Sequence, residues 1–191
     1  MKRALFPLGS IVLPGGRLPL QLFERRYLDM LSRCMREEEG FVILLMQERQ
    51  PDTQADVRFH SVGTLVKVVD FSPLSNGLLG ITVAGDRKVQ VLRHWQETTG
   101  LHWGELEELP PEEWAATPAH YIELENVLRA LVQHPAVQSL EMTIDYQDAR
   151  DLGWRLTELL PLESEQKQRL VACTDPLQRL AQIAHWMESM G

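Results

Sequence analysis

Short runs of β-branched and large apolar residues fill the first part of the chain, whereas apolar residues spaced three and four apart fill the second. These are the periodicities of strands and of amphipathic helices. Strands are predicted at residues 18–23, 41–46, 63–71, 78–84, 88–95 and 101–106. Between two of them lies Pro73-Leu74-Ser75-Asn76-Gly77, whose Asn-Gly pair tolerates the positive φ that a tight hairpin turn demands. Gly85-Asp86 predicts a bend or bulge. One helix interrupts this region at 24–38, with Tyr27, Leu28, Leu31, Cys34 and Met35 on one face and Arg25, Arg26, Arg33 and Arg36 largely elsewhere. Gly40 is placed to end it, since glycine accepts the left-handed conformation common past a helix C-terminus.

After Leu109-Pro110-Pro111 the helical spacing takes over. Tyr121, Leu124, Val127, Leu128 and Leu131 form a stripe that stops before His134-Pro135, because proline disfavours helical geometry in its predecessor. Leu152, Leu156, Leu159 and Leu160 form a second, ending at Pro161, and a third helix is predicted at about 163–173. A fourth starts with Asp175 as N-cap and Pro176 at the first helical position, followed by Leu177, Leu180, Ala181, Ala184 and Met187. The expected fold class is α+β: a mostly antiparallel sheet or partly closed barrel with one helix over 1–110, then a helical bundle over 111–191.

The chain has 191 residues, 44% apolar and 24% charged, and needs no metal or disulfide to bury a core. Cys34 and Cys173 stand far apart in no ligand spacing, which excludes a disulfide scaffold and fits a reducing cytosol. Pro7 and Gly9 break the first apolar run before it could serve as a secretion signal, and no run approaches the roughly 18 apolar residues of a membrane helix. A soluble, cytoplasmic protein with no membrane contact is expected. Almost all of the formal charge of −8 lies in residues 111–191, so nucleic acid, whose affinity comes from cations replacing counterions, is a disfavoured partner.

The sequence contains no Gly-x-x-x-x-Gly-Lys-Ser/Thr, Gly-x-Ser-x-Gly, His-Glu-x-x-His or paired Cys-x-x-Cys segment. No catalytic residue, metal or cofactor is therefore assigned. His94-Trp95 and His102-Trp103 recur on neighbouring predicted strands and read as a cross-strand aromatic cluster; convergence with a carboxylate in a cleft would instead indicate an enzyme. Cys34 reads as a small buried hydrophobe, Glu37-Glu38-Glu39 as a solvated face, and Asp145, Asp148 and Asp151 as carboxylates favoured at the positive end of a helix.

Phe23-Glu24-Arg25-Arg26-Tyr27, where a strand hands over to a helix, is the densest mixture of charge and aromatic surface. One reading gives Glu24 to the helix dipole and pairs an arginine internally. The other has Arg25 or Arg26 reach a partner's carboxylates or carbonyls through the guanidinium fork. Phe23, Glu24, Arg25 and Arg26 are accordingly the candidate partner-binding residues.

Leu5-Phe6-Pro7-Leu8, Ile11-Val12-Leu13-Pro14-Gly15, Leu18-Pro19-Leu20 and Phe23-Glu24-Arg25-Arg26-Tyr27 together resemble the opening of the N-terminal domain of the Lon protease. Val62-Gly63-Thr64, Gly85-Asp86-Arg87-Lys88, Leu160-Pro161, Lys167-Gln168-Arg169-Leu170 and Asp175-Pro176-Leu177 resemble later blocks of that family in order. The resemblance implies a PUA-like β-fold followed by a helical bundle, and a role in substrate recognition. It also implies a free-standing form without the family's ATPase and protease modules. The expected function is non-catalytic binding of unfolded or extended protein segments through a sheet edge and an apolar groove against the helical part. A protease encoded elsewhere is a further expected partner. The alternative is an RNA- or nucleotide-binding PUA-like protein with Trp95 and Trp103 stacking on bases.

Overall fold

A computed structural model describes residues 1–47, 58–74, 78–138 and 143–190. The chain divides into two compact units, Met1–Pro111 and Glu112–Gly191. The first contains β1 (Lys2–Leu8), β2 (Arg17–Leu22), α1 (Arg25–Glu37), β3 (Phe41–Leu45), β4 (Val62–Pro73), β5 (Leu79–Gln96) and β6 (His102–Glu108). The strand order is β2-β5-β4-β3-β1-β6, and β6 pairs with β5 as well. Five strands thus form a ring, with β2 attached outside it. Only β1 and β3 pair in parallel, and the expected α+β class with a partly closed, mostly antiparallel barrel holds.

The period of two along each strand separates two cores. Leu5, Val42, Leu44, Leu65, Val89, Val91 and Leu106 form one cluster, to which every ring strand and no helix contributes; it fills the ring. Ala4, Phe6, Phe41, Ile43, Val66, Ile81 and Val83 face the other way, against Tyr27, Met30, Leu31 and Cys34 of α1. Each β3 residue is therefore buried, which explains a continuous apolar run where a half-buried strand would alternate.

Several boundaries depart from the sequence pattern. Residues 78–84 and 88–95 belong to a single strand, β5, and the expected interruption at Gly85-Asp86 is a bulge within it: Leu65 pairs with Arg87 and Val66 with Gly85, leaving Asp86 over. Leu92 is left over in the same way against β6, and such extra residues bend a strand and increase its twist. Strand β1 carries no turn-bounded alternating signal and was not expected as a strand. Its Pro7 pairs with Leu44 of β3 beyond the stretch held by β6, so the missing N–H costs no ladder bond on that side. The Asn76-Gly77 turn lies outside the described residues.

Helix α1 does not end on Gly40. Glu38 takes the left-handed conformation with φ 53° and donates its N–H to the Cys34 carbonyl. Gly40 serves a different need, because a Cβ there would run into the carbonyl oxygen of Val66. The apolar stripe is also turned from the expected one, with Met30 buried and Met35 exposed.

The second unit contains a short 3₁₀ turn (Ala119–Tyr121), α2 (Ile122–Val132), α3 (Pro135–Gln138), α4 (Ala149–Leu159), α5 (Ser164–Ala172) and α6 (Pro176–Met190). Leu124, Leu128, Leu152, Leu156, Leu170, Leu180 and Ile183 make its core. Asp148 caps α4 by accepting the Arg150 N–H at 2.9 Å, and Asp175 caps α6 by accepting that of Leu177 at 2.8 Å. Asp145 and Asp151 close the same corner, where the Asp145 N–H donates to the Asp151 carboxylate at 2.7 Å.

Arg179, on the buried face of α6, is fully enclosed. Its guanidinium forms a fork with the Glu112 carboxylate, donates to the Leu170 and Cys173 carbonyls at 3.2 and 2.9 Å, and stacks 3.5 Å over the Trp154 ring. Removing one member of such a buried pair strands the other. Arg179→Ala is expected to destabilise the helical unit by about 3–5 kcal/mol, read as a lowered denaturant midpoint of the helical circular-dichroism signal. An unchanged midpoint would show that the pair is dispensable.

Candidate functional site

An open cavity of about 260 Å³ lies where several chain segments end together. Its wall comprises Phe6, Pro7 and Leu8 of β1, Gln21 and Leu22 of β2, the junction residues Phe23 and Glu24, Arg26 and Tyr27 of α1, Met46 and His102. The floor is fixed by packing. The Phe6 and Tyr27 rings meet edge to face at 4.2 Å, and Phe6 meets Phe41 at 5.9 Å. The Met46 N–H donates to the Leu8 carbonyl at 2.7 Å, which ties the ends of β1 and β3. The rim is soft and apolar, with Phe23 68% and Met46 40% exposed.

The four candidate residues divide. Phe23, Glu24 and Arg26 line the cavity, and Arg25 does not. Arg25 points to solvent, its side chain 87% exposed and paired with Asp29 one turn along α1 at 3.1 Å. Arg26 turns inward: Nη1 donates to the Gly100 carbonyl at 2.8 Å, Nη2 pairs with Glu24 at 2.8 Å, and the guanidinium lies 4.7 Å from the Tyr27 ring centre. Glu24 occupies the N-cap position of α1 but its side chain caps no backbone N–H; its carboxylate is held by Arg26 instead. Burial pushes the Tyr27 phenol above its ordinary range, against the opposing pull of the Arg26 charge.

Pro7, Leu8, Met46 and His102 also line the cavity, although none of them is among the four candidate partner-binding residues. They come from three different strand ends, and nothing local in the sequence marks their convergence. His102 is buried and faces Phe59, whose ring also meets His94. The expected aromatic cluster therefore forms around Phe59, with Trp95 opposite Trp103 on β5 and β6. Trp103 is buried beneath the Arg33 guanidinium, 4.5 Å away, while Trp95 is 40% exposed with the Lys2 amine 6.0 Å from its ring. Among the described residues, no cluster of His, Cys, Asp and Glu is arranged to hold a metal ion, and no helix is long and apolar enough to cross a membrane.

A model of the ATP-dependent protease La (LON) substrate-binding domain matches residues 2–189. The LON peptidase N-terminal domain and RING finger protein C14F5.10c of Schizosaccharomyces pombe is 22% identical over 220 residues, covering 96% of this chain and 45% of that protein. The chain thus spans less than half the length of this curated relative. A Lon N-terminal domain protein from Xanthomonas campestris matches at 31% identity with a TM-score of 0.82, over 97% of this chain and 98% of the other. The N-terminal domain of the Mycobacterium avium complex Lon protease has the same fold, with a TM-score of 0.68 at 20% identity and 98% of each chain covered.

Arg26→Ala is expected to destabilise the β-unit by about 1–2 kcal/mol through loss of its hydrogen bond to the Gly100 carbonyl and its contact with the Tyr27 ring, whereas Arg25→Ala stays within about 0.5 kcal/mol of wild type. Paired denaturation midpoints check this; equal values would contradict the inward and outward assignment. Burial raises the Cys34 thiol from its ordinary 9.0 to about 11. The native thiol should resist alkylation at neutral pH. Because the unfolded chain ionises first, stability should fall as pH rises from about 9 towards 11; Cys34→Ala should reduce that slope and leave the part contributed by the buried Tyr27 phenol.

Proposed function

Because the chain belongs to the substrate-binding domain family of the ATP-dependent protease La (Lon), we propose that it is a non-catalytic module that holds extended segments of unfolded proteins. The observation that carries this reading is the cavity at the head of α1: a rigid aromatic floor under an apolar rim, with Phe23 68% exposed at its edge. Phe23 and Met46 place two exposed apolar side chains at one opening, which offers an arriving apolar side chain a surface to dock on. Its volume suits one bulky side chain, since ligand sites for larger molecules run from about 300 Å³ upward. The flexible thioether of Met46 lets the rim adapt to different occupants.

An unfolded segment must be ordered as it binds, at a cost of about 2–5 kcal/mol. The expected affinity is therefore near micromolar, about −8 kcal/mol. Titration of the labelled chain with an unfolded polypeptide should show saturable binding, and a folded control should show none. Phe23→Ala should weaken that binding about tenfold, as for an aromatic residue that closes over a bound side chain, while the denaturation midpoint stays put because the side chain is exposed. Equal silence from both polypeptides, or full affinity in Phe23→Ala, would remove the reading.

A further inference from the structure

Strand β2 stands at the end of the strand order and pairs only with β5 among the described residues. Pro19 sits in the middle of it, opposite Thr82, and a proline is accommodated in a ladder when its nitrogen faces the open side. Alternate residues of a strand present their backbone groups to the same side. Arg17 and Gln21 therefore direct N–H and C=O outward beside the carbonyl of Pro19. This open edge runs directly into the cavity, because Gln21 and Leu22 already belong to its wall. At the far end Arg17 is exposed and forms no ion pair among the described residues, about 20 Å of strand away from Phe23.

We propose that a bound segment lies antiparallel along the outer edge of β2, placing an apolar side chain in the cavity and an acidic side chain against Arg17. The occupant is an extended stretch of unfolded protein with a large apolar residue and, six residues C-terminal to it, an aspartate or glutamate. Antiparallel pairing sets that order, since β2 runs from Arg17 towards Phe23. Pro19 limits the ladder to a few bonds. It keeps the edge from propagating a sheet between copies of the chain, and it leaves the two ends, one apolar and one charged, to decide which segments bind. The inference rests on the proposed use of the cavity and adds a direction, a spacing and a charge to it.

The test uses the whole chain and an unstructured peptide carrying one phenylalanine and, six residues C-terminal to it, one aspartate. Replacing that aspartate by lysine should weaken binding about three- to tenfold, as expected for a single rim ion pair and its reversal. Arg17→Glu should invert the preference, so that the lysine peptide binds better. N-methylation of the peptide backbone between the two residues should cost about tenfold by removing ladder bonds. If all these peptides bind Arg17→Glu and the parent chain alike, and only Phe23→Ala loses them, the edge is not used and the cavity reading survives alone. If no peptide binds, both readings fall.

Discussion

The barrel depends on one strand serving two sets of partners. Strand β5 runs 18 residues, Leu79–Gln96, and drawn out straight it would span about 60 Å, too long for a unit of this size. Its residues Leu79–Ala84 pair with β2, Leu79–Gln90 with β4 on the other side, and Val89–Gln96 with β6. It can do so only by coiling, and the extra residues Asp86 and Leu92 supply the bends. At the first bend Gly85 exchanges backbone bonds with the loop before β2: it accepts from Gly15 at 3.0 Å and donates to Gly16 at 2.9 Å. A side chain there would strike the carbonyl of Leu13. The hydroxyl of buried Thr64 donates to the Val12 carbonyl at 2.6 Å and holds the same loop from below.

That closure creates the cavity at one remove. Once β6 is bent back onto β1, the turn carrying Gly100 arrives beside the start of α1, where its carbonyl accepts the Arg26 guanidinium. The helix is then held at its first turn by a side chain and along its length by packing on the sheet. Strand ends meet a helix start at an angle that side chains cannot fill completely. The volume left over is bounded below by the Phe6 and Tyr27 rings and is open above. A stiff floor under a yielding rim follows from the joint itself, since Phe6 and Tyr27 belong to the core beneath α1 and the rim residues Phe23 and Met46 belong to neither core.

Most of the strands and all the long helices were legible because each rests on a local period or a local cap. The α6 start is an example: Asp175 and Pro176 specify it without reference to anything distant. What was not legible depended on contacts across the chain. Strand β1 is defined by its parallel partner β3, and no local pattern encodes a parallel pairing. Gly40 was read as a helix stop because glycine commonly serves there, but tertiary packing claimed it for close approach to β4 while Glu38 took the strained backbone. Nothing local marks Arg179 as a buried residue of α6, since its carboxylate partner lies 67 residues away. The candidate site shows the same division. The run from Phe23 to Arg26 stands out by composition, yet only Phe23, Glu24 and Arg26 line the cavity, and its other walls, among them His102, Met46 and Pro7, come from elsewhere in the fold.

The inward turn of Arg26 also constrains what the site can recognise. An arginine that already satisfies a carbonyl, a carboxylate and an aromatic face has little to offer an arriving ligand, and Glu24 is neutralised in the same contact. The cavity mouth thus offers little free charge, and on the proposed function the selectivity within it would be one of size and apolar surface. Such selectivity is weak, because adding or removing a methylene in an apolar pocket is worth only about 1–3 kcal/mol. On the proposed function, such a cavity would discriminate unfolded from folded chains, since only the former present a free apolar side chain on an extended backbone. On the proposed edge-binding reading, discrimination among unfolded chains would come from outside the cavity, where the exposed Arg17 of β2 forms no ion pair among the described residues.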